Sequence, residues 1–279
     1  MDNKTFEFQS VAEAWQYSRT SPCRLDDDER TSICESKRKF HDYTSVATWT
    51  NIMEKGWPDG AEKVAALAQS ISGFVIAKLQ MPVVVRDVVG DCYDIGLVVT
   101  GEPECALLWD MQDATENSGG KVLKLVYNCV VHGGEPAAVM LRRAAAILAM
   151  GDVLEAIGYR CEIIADAGLA SERGGAWCHV ITWLKKADQP FDLNALAATA
   201  HACYLRRLIF GVMETLPDAK ARGYYMDAGY GWGAPAIATG DVLMESTYCG
   251  GPRFSTDNDA ATWVFQELQK LGVHVEDRE

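Results

Sequence analysis

VLKLVYNCVV, residues Val122–Val131, is followed by His132-Gly133-Gly134-Glu135-Pro136, by AAVMLRRAAAILAMGDVLEAI (Ala137–Ile157), and by Gly158 and YRCEIIA (Tyr159–Ala165). The first segment is rich in β-branched and aromatic residues and carries one charge, Lys124. That is the pattern of a strand buried on both faces of a mostly parallel sheet. Gly133, Gly134 and Pro136 break it, and proline suits the first turn of a helix. Ala137–Ile157 is apolar on nearly every side, so it is expected to pack both on a sheet and under a neighbouring helix. Gly158 suits a helix end. Strand, crossover helix and strand make a right-handed βαβ unit, the seed of an open α/β sheet.

Working outward, Trp177, His179, Ile181 and Trp183 alternate with Cys178, Val180 and Thr182 in a strand over Ala176–Lys185. Leu193–Thr215 is read as one long helix stopped by Pro217. Asp241–Thr247 is the next strand and Asp257–Leu271 the last helix. Upstream, the spacing predicts helices over Phe6–Ser18 (with Ser10 as N-cap), Ser45–Lys55 and Ala61–Leu79, and strands over Val83–Val89, Tyr93–Val99 and Ala106–Met111. The polar run Asp113–Gly120 reads as a linker. The expected organisation is an α+β region over 1–112, a linker over 113–120, and an α/β domain over 121–279. That domain is an open, mostly parallel sheet with helices on both faces.

The 279 residues are 48% hydrophobic and 23% charged, ordinary globular composition. A net charge of −13 disfavours an extended nucleic-acid face; such a surface suits a basic protein partner or serves only solubility. No run of about 18 apolar residues predicts a membrane span, and the polar start Met1-Asp2-Asn3-Lys4 carries no apolar signal region. With no such signal, the nine cysteines read as reduced thiols of a cytoplasmic protein. None has CxxC spacing, so no local zinc site is expected. Asp26-Asp27-Asp28 is read as a wet surface rather than a cation site.

The order of elements over residues 121–272, with Arg143-Ala144-Ala145-Ala146-Ile147-Leu148 and Leu154-Glu155-Ala156-Ile157-Gly158-Tyr159, resembles a von Willebrand factor A-like domain. The first 110 residues, with Gly56-Trp57-Pro58-Asp59-Gly60 and Gly101-Glu102-Pro103-Glu104-Cys105, are similar to uncharacterised phage and mobile-element proteins. The first resemblance implies a divalent cation held by an Asp-x-Ser-x-Ser loop after the first strand. Here that place reads Asn128-Cys129-Val130-Val131-His132, and no register restores the motif. The metal site is therefore expected to be degenerate, with no cofactor. The implied function is a non-enzymatic interaction or scaffold protein.

Two enzymatic alternatives stand beside it. His132, Asp166 and Asp227 each follow a strand and could converge on a divalent cation as a metal-assisted hydrolase. Asp227-Ala228-Gly229-Tyr230-Gly231-Trp232-Gly233 resembles the glycine-rich loop of S-adenosylmethionine methyltransferases, but too little chain follows it for that fold. No Gly-x-Ser-x-Gly elbow and no phosphate-binding glycine loop is present. The expected ligand or partner site gathers three loops at the carboxyl edge of the sheet. Its residues are His132 and Glu135, Asp166 at the head of an exposed loop over Asp166–Gly175, and Asp227, Tyr230 and Trp232.

Overall fold

The computed structural model describes residues 2–33, 45–73, 75–78, 80–90, 92–113, 120–170, 176–225 and 231–277. The chain opens with strand β1 (Lys4–Phe8) and helix α1 (Val11–Thr20). Ser10 caps α1 by accepting from Glu13 N at 3.1 Å, which fixes the switch from strand to helix inside the helix expected over Phe6–Ser18. Helices α2 (Val46–Lys55) and α3 (Pro58–Gly73) follow. Gly56 between them has φ +83°, and a Cβ there would stand 2.3 Å from Asn194 Cβ, so only glycine permits the turn.

Strands β2 (Val75–Lys78), β3 (Gln80–Asp87) and β4 (Cys92–Tyr93) follow, then helix α4 (Ile95–Thr100) and strand β5 (Ala106–Asp113). The strand expected over Tyr93–Val99 is thus mostly helix. Asp94 Oδ1 accepts from Gly96 N and Leu97 N, and Gly101 ends the helix in the left-handed region. These two caps override the β-branched composition between them.

Strand β6 (Val122–Asn128), helix α5 (Ala137–Ala156) and strand β7 (Arg160–Ala170) form the expected βαβ unit. β7 runs five residues further than expected, so Asp166 lies inside a strand rather than in an exposed loop. Strand β8 (Trp177–Lys185) follows. The helix expected over Leu193–Thr215 is broken. Helix α6 (Leu193–Thr199) is followed by a π-helical stretch, Tyr204–Ile209, and helix α7 (Phe210–Glu214). At the break the His201 imidazole takes the Cys203 backbone N–H at 3.1 Å, removing it from the helical ladder. Helix α8 (Ala219–Arg222), strands β9 (Trp232–Gly233) and β10 (Val242–Met244), helix α9 (Asp257–Lys270) and strand β11 (His274–Asp277) complete the order.

The fold is α/β: a six-stranded, mostly parallel sheet flanked by helices, in the order β1-β8-β7-β6-β10, with β9 on β7. β6 pairs in parallel with β7 and β10, and β1 with β8; β8 and β9 run antiparallel to β7. Leu125, Tyr127, Ile163, Ala165 and Val180 share one hydrophobic cluster with Trp15, Trp49, Val64, Ile147, Leu196 and Val264 of the helices. Strand β1 and helices α1, α2 and α3 therefore join the same core as the βαβ unit. Strands β3, β5 and β4 form a separate three-stranded antiparallel sheet with its own register. Among the described residues, no helix is long and apolar enough to cross a membrane.

Candidate functional site

Asn128, the last residue of β6, is fully buried; its side-chain amide donates to Ala234 O at 3.0 Å and to Glu245 Oε2 at 3.2 Å. Beside it lies Arg143 of α5, also fully buried. Its Nη2 donates to Asn128 O at 2.8 Å and to Glu245 O at 2.7 Å, and its Nη1 donates to Pro252 O. Burial lowers the Arg143 pKa, while nearby groups including Glu245 and Glu135 oppose that shift. A covalently tethered cation thus ties the carboxyl ends of β6 and β10 to the loop before α9. Sequence reasoning missed Arg143. The available signal was an arginine directly before the apolar run Ala144–Met150, where a charge must find partners.

Asp166 is fully buried and fully engaged. Oδ1 lies 2.8 Å from His179 Nδ1, and Oδ2 accepts from Ile237 N at 2.8 Å and Ala238 N at 3.0 Å. It anchors the chain crossing this face of the sheet and is not brought to the surface beside His132. The His179 ring rests on Gly168, where a Cβ would meet it at 2.2 Å. Among the described residues, no cluster of three histidines, cysteines or carboxylates is arranged to hold a metal ion. Asp26–Asp28 stand exposed. Asp227 and Tyr230 lie outside the described residues. The last two residues of the glycine-rich motif, Trp232 and Gly233, form β9, antiparallel to the end of β7, and residues 234–241 continue without a helix.

His132 and Trp232 do come to one end of the sheet, through a residue that sequence reasoning did not single out. Tyr248, in a single 3-10 turn (Thr247–Cys249), has its ring 5.1 Å from that of His132 and 6.4 Å from that of Trp232. Trp232 is 62% exposed. His132 is a turn residue: its Nδ1 accepts from Gly134 N at 3.2 Å, and its own N–H donates to Thr247 Oγ1 at 3.1 Å. Glu135 is held by Arg253 at 2.8 Å.

On the other side of His132 opens a cleft of about 710 Å³ including its mouth. Its walls are Trp57, Met140, Leu141 and Leu205, with His132, Glu135, His201 and Arg206 as polar members. The His201 ring meets the Trp57 ring edge-on at 4.6 Å, and its Nδ1 lies 2.8 Å from Cys203 Sγ. One wall is the broken α6–α7 segment, and π-helical turns of this kind recur at functional sites. The arrangement is a largely apolar receptacle next to an aromatic row whose outer member, Trp232, is exposed, on a scaffold cross-braced by Arg143.

An α/β sheet protein with a cleft at its carboxyl edge is the class that this geometry defines. Over residues 3–274 the chain matches the family described as "Domain of unknown function (DUF7192)", and it belongs to that family. No curated protein and no solved structure matches it.

Proposed function

We propose that this chain is a non-enzymatic interaction or scaffold protein of the cytoplasm, built on a degenerate von Willebrand factor A-like domain. The partner is a protein segment received at the carboxyl edge. The element order β6, α5, β7, β8, α6–α7, β10, α9 supports the resemblance. Arg143 supports the degenerate reading, because a fixed guanidinium there gathers the carbonyls of Asn128, Glu245 and Pro252. The observation that carries the proposal is the row His132–Tyr248–Trp232 beside the apolar cleft. Exposed aromatics next to a pocket are the residues that anchor partners when covered.

The test is photo-crosslinking in the native host from Trp232→p-benzoylphenylalanine, with thermal-shift measurements on the purified chain. A discrete protein adduct, lost when Leu205→Arg fills the cleft, supports the reading. Failure to form a discrete adduct, or stabilisation by Mg²⁺, Mn²⁺, Zn²⁺ or S-adenosylmethionine, overturns it.

A further inference from the structure

A second surface is carried by the β3-β5-β4 sheet and α4, which share no residue with the carboxyl-edge site. Between Lys78 and Lys121 the sequence holds eight carboxylates (Asp87, Asp91, Asp94, Glu102, Glu104, Asp110, Asp113 and Glu116) and one basic residue, Arg86. Against a net charge of −13 for the whole chain, this segment alone carries −7 (one minus eight). Arg86 is itself engaged with Asp94 at 3.7 Å.

This acidic segment also exposes large apolar side chains, with Ile95, Val98 and Val99 on α4. Val89 is 72% exposed, Tyr93 55%, Ile95 77% and Val99 81%, with Val88 and Val98 beside them. Ordinary monomers rarely cluster large exposed apolar side chains in this way. Helix α4 is held by its own caps, Asp94 and Gly101, so the patch is presented on ordered backbone.

The charge selects the occupant. Two copies of this segment would bring −7 against −7, and an anionic lipid surface or nucleic acid would be repelled in the same way. What complements an apolar patch rimmed by carboxylates is an apolar face rimmed by Lys or Arg. We propose that α4, with Val88, Val89 and Tyr93, forms a docking surface for a basic amphipathic helix of a partner protein, sharing no residue with the carboxyl-edge site.

The probe is a fluorescently labelled 18-residue peptide, helical, with leucines on one face and lysines on the other. It is titrated with the full-length protein by fluorescence anisotropy. Saturable binding is expected, weakening several-fold between low and roughly 300 mM salt as the rim charges are screened. The double variant Ile95→Asp/Val99→Asp should bind at least about tenfold more weakly, although it adds two negative charges. Equal or tighter binding by that variant would mean bulk electrostatics alone, and would overturn the proposal. A second pair, Glu102→Lys/Glu104→Lys, leaves the apolar patch untouched and should also lose affinity; unchanged affinity overturns the charge-selected partner. Circular dichroism accompanies both pairs. Two other outcomes also overturn the proposal. One is a dimer in sedimentation that Ile95→Asp/Val99→Asp dissolves. The other is cosedimentation with phosphatidylserine vesicles that the same variant abolishes.

Discussion

Arg143→Met tests the bracing of the carboxyl edge. Methionine keeps much of the stem volume but removes every donor. The carbonyl oxygens of Asn128, Glu245 and Pro252 then lose the group that satisfied them. Stranding a buried acceptor costs about 1–3 kcal/mol, so three would cost ~3–9 kcal/mol without relaxation. Against this, the folded state no longer desolvates a guanidinium, which returns several kcal/mol. Removing one side of a buried ionic arrangement usually leaves a net loss of about 3–5 kcal/mol. For a chain of this size each kcal/mol is worth about 2–4 °C, so the melting temperature should fall by roughly 6–20 °C. Urea unfolding followed by circular dichroism gives the free energy, and an unchanged slope shows that the two end states are comparable. Arg143→Lys should recover only part of the loss, because a single ammonium cannot reach carbonyls on three segments. A loss below about 1 kcal/mol for Arg143→Met would refute the view that this guanidinium holds the edge together.

Leu148 is buried in the middle of α5, so Leu148→Ala should cost about 2–5 kcal/mol in urea unfolding, and a loss under about 1 kcal/mol would misplace the central helix. Gly168→Ala puts a methyl 2.2 Å from the His179 ring; the ring must move off Asp166, at about 1–3 kcal/mol, with a visible change in the His179 imidazole NMR signal. Burial pushes the thiols of Cys129, Cys161 and Cys178 up to about 12. In the unfolded chain these thiols ionise near the ordinary value of about 8.5, so their contribution is complete below that pH and declines as pH rises toward 12. Urea midpoints measured from pH 8 to 11 should therefore fall, and Cys161→Ala should flatten part of the slope; a pH-independent midpoint contradicts this. At pH 8 exposed Cys92 should react with a thiol reagent well before these three, which mass spectrometry of the partly labelled chain reads directly.

The βαβ unit was legible because a strand buried on both faces must be apolar along its length, and α5 must be apolar nearly all round to lie between sheet and helices. The pairing of β1 with β8 was not legible, since nothing local in Lys4–Phe8 names a partner so distant in sequence. Tyr93–Val99 misled through its β-branched residues, although Asp94 and Gly101 carried the opposite signal. The break at His201 depends on a side chain choosing the next turn's N–H, which periodicity does not report. At the candidate site, position after strand ends was enough to bring His132 and Trp232 to one end of the sheet. It failed for Asp166, because strand length decides whether such a residue faces solvent or is sealed inside. Arg143 escaped notice because its meaning lies in carbonyls supplied by residues 128, 245 and 252, which only the folded chain assembles.

The placement of β1 has a consequence for synthesis. Asn3 Oδ1 accepts from the backbone N–H of Trp177, 174 positions away, and β1 lies against β8 from end to end. On a ribosome adding about 5–20 residues per second, β1 emerges roughly 9–35 seconds before its neighbour has been made. Throughout that interval Phe6 and Phe8 have no sheet to cover them, and the strand's backbone groups are open to any other extended chain. The nascent protein thus passes through a window in which its first strand must be kept from pairing elsewhere. Early packing of Phe6 and Phe8 on Tyr17 of α1, only about ten residues on, is what the chain itself offers to guard it.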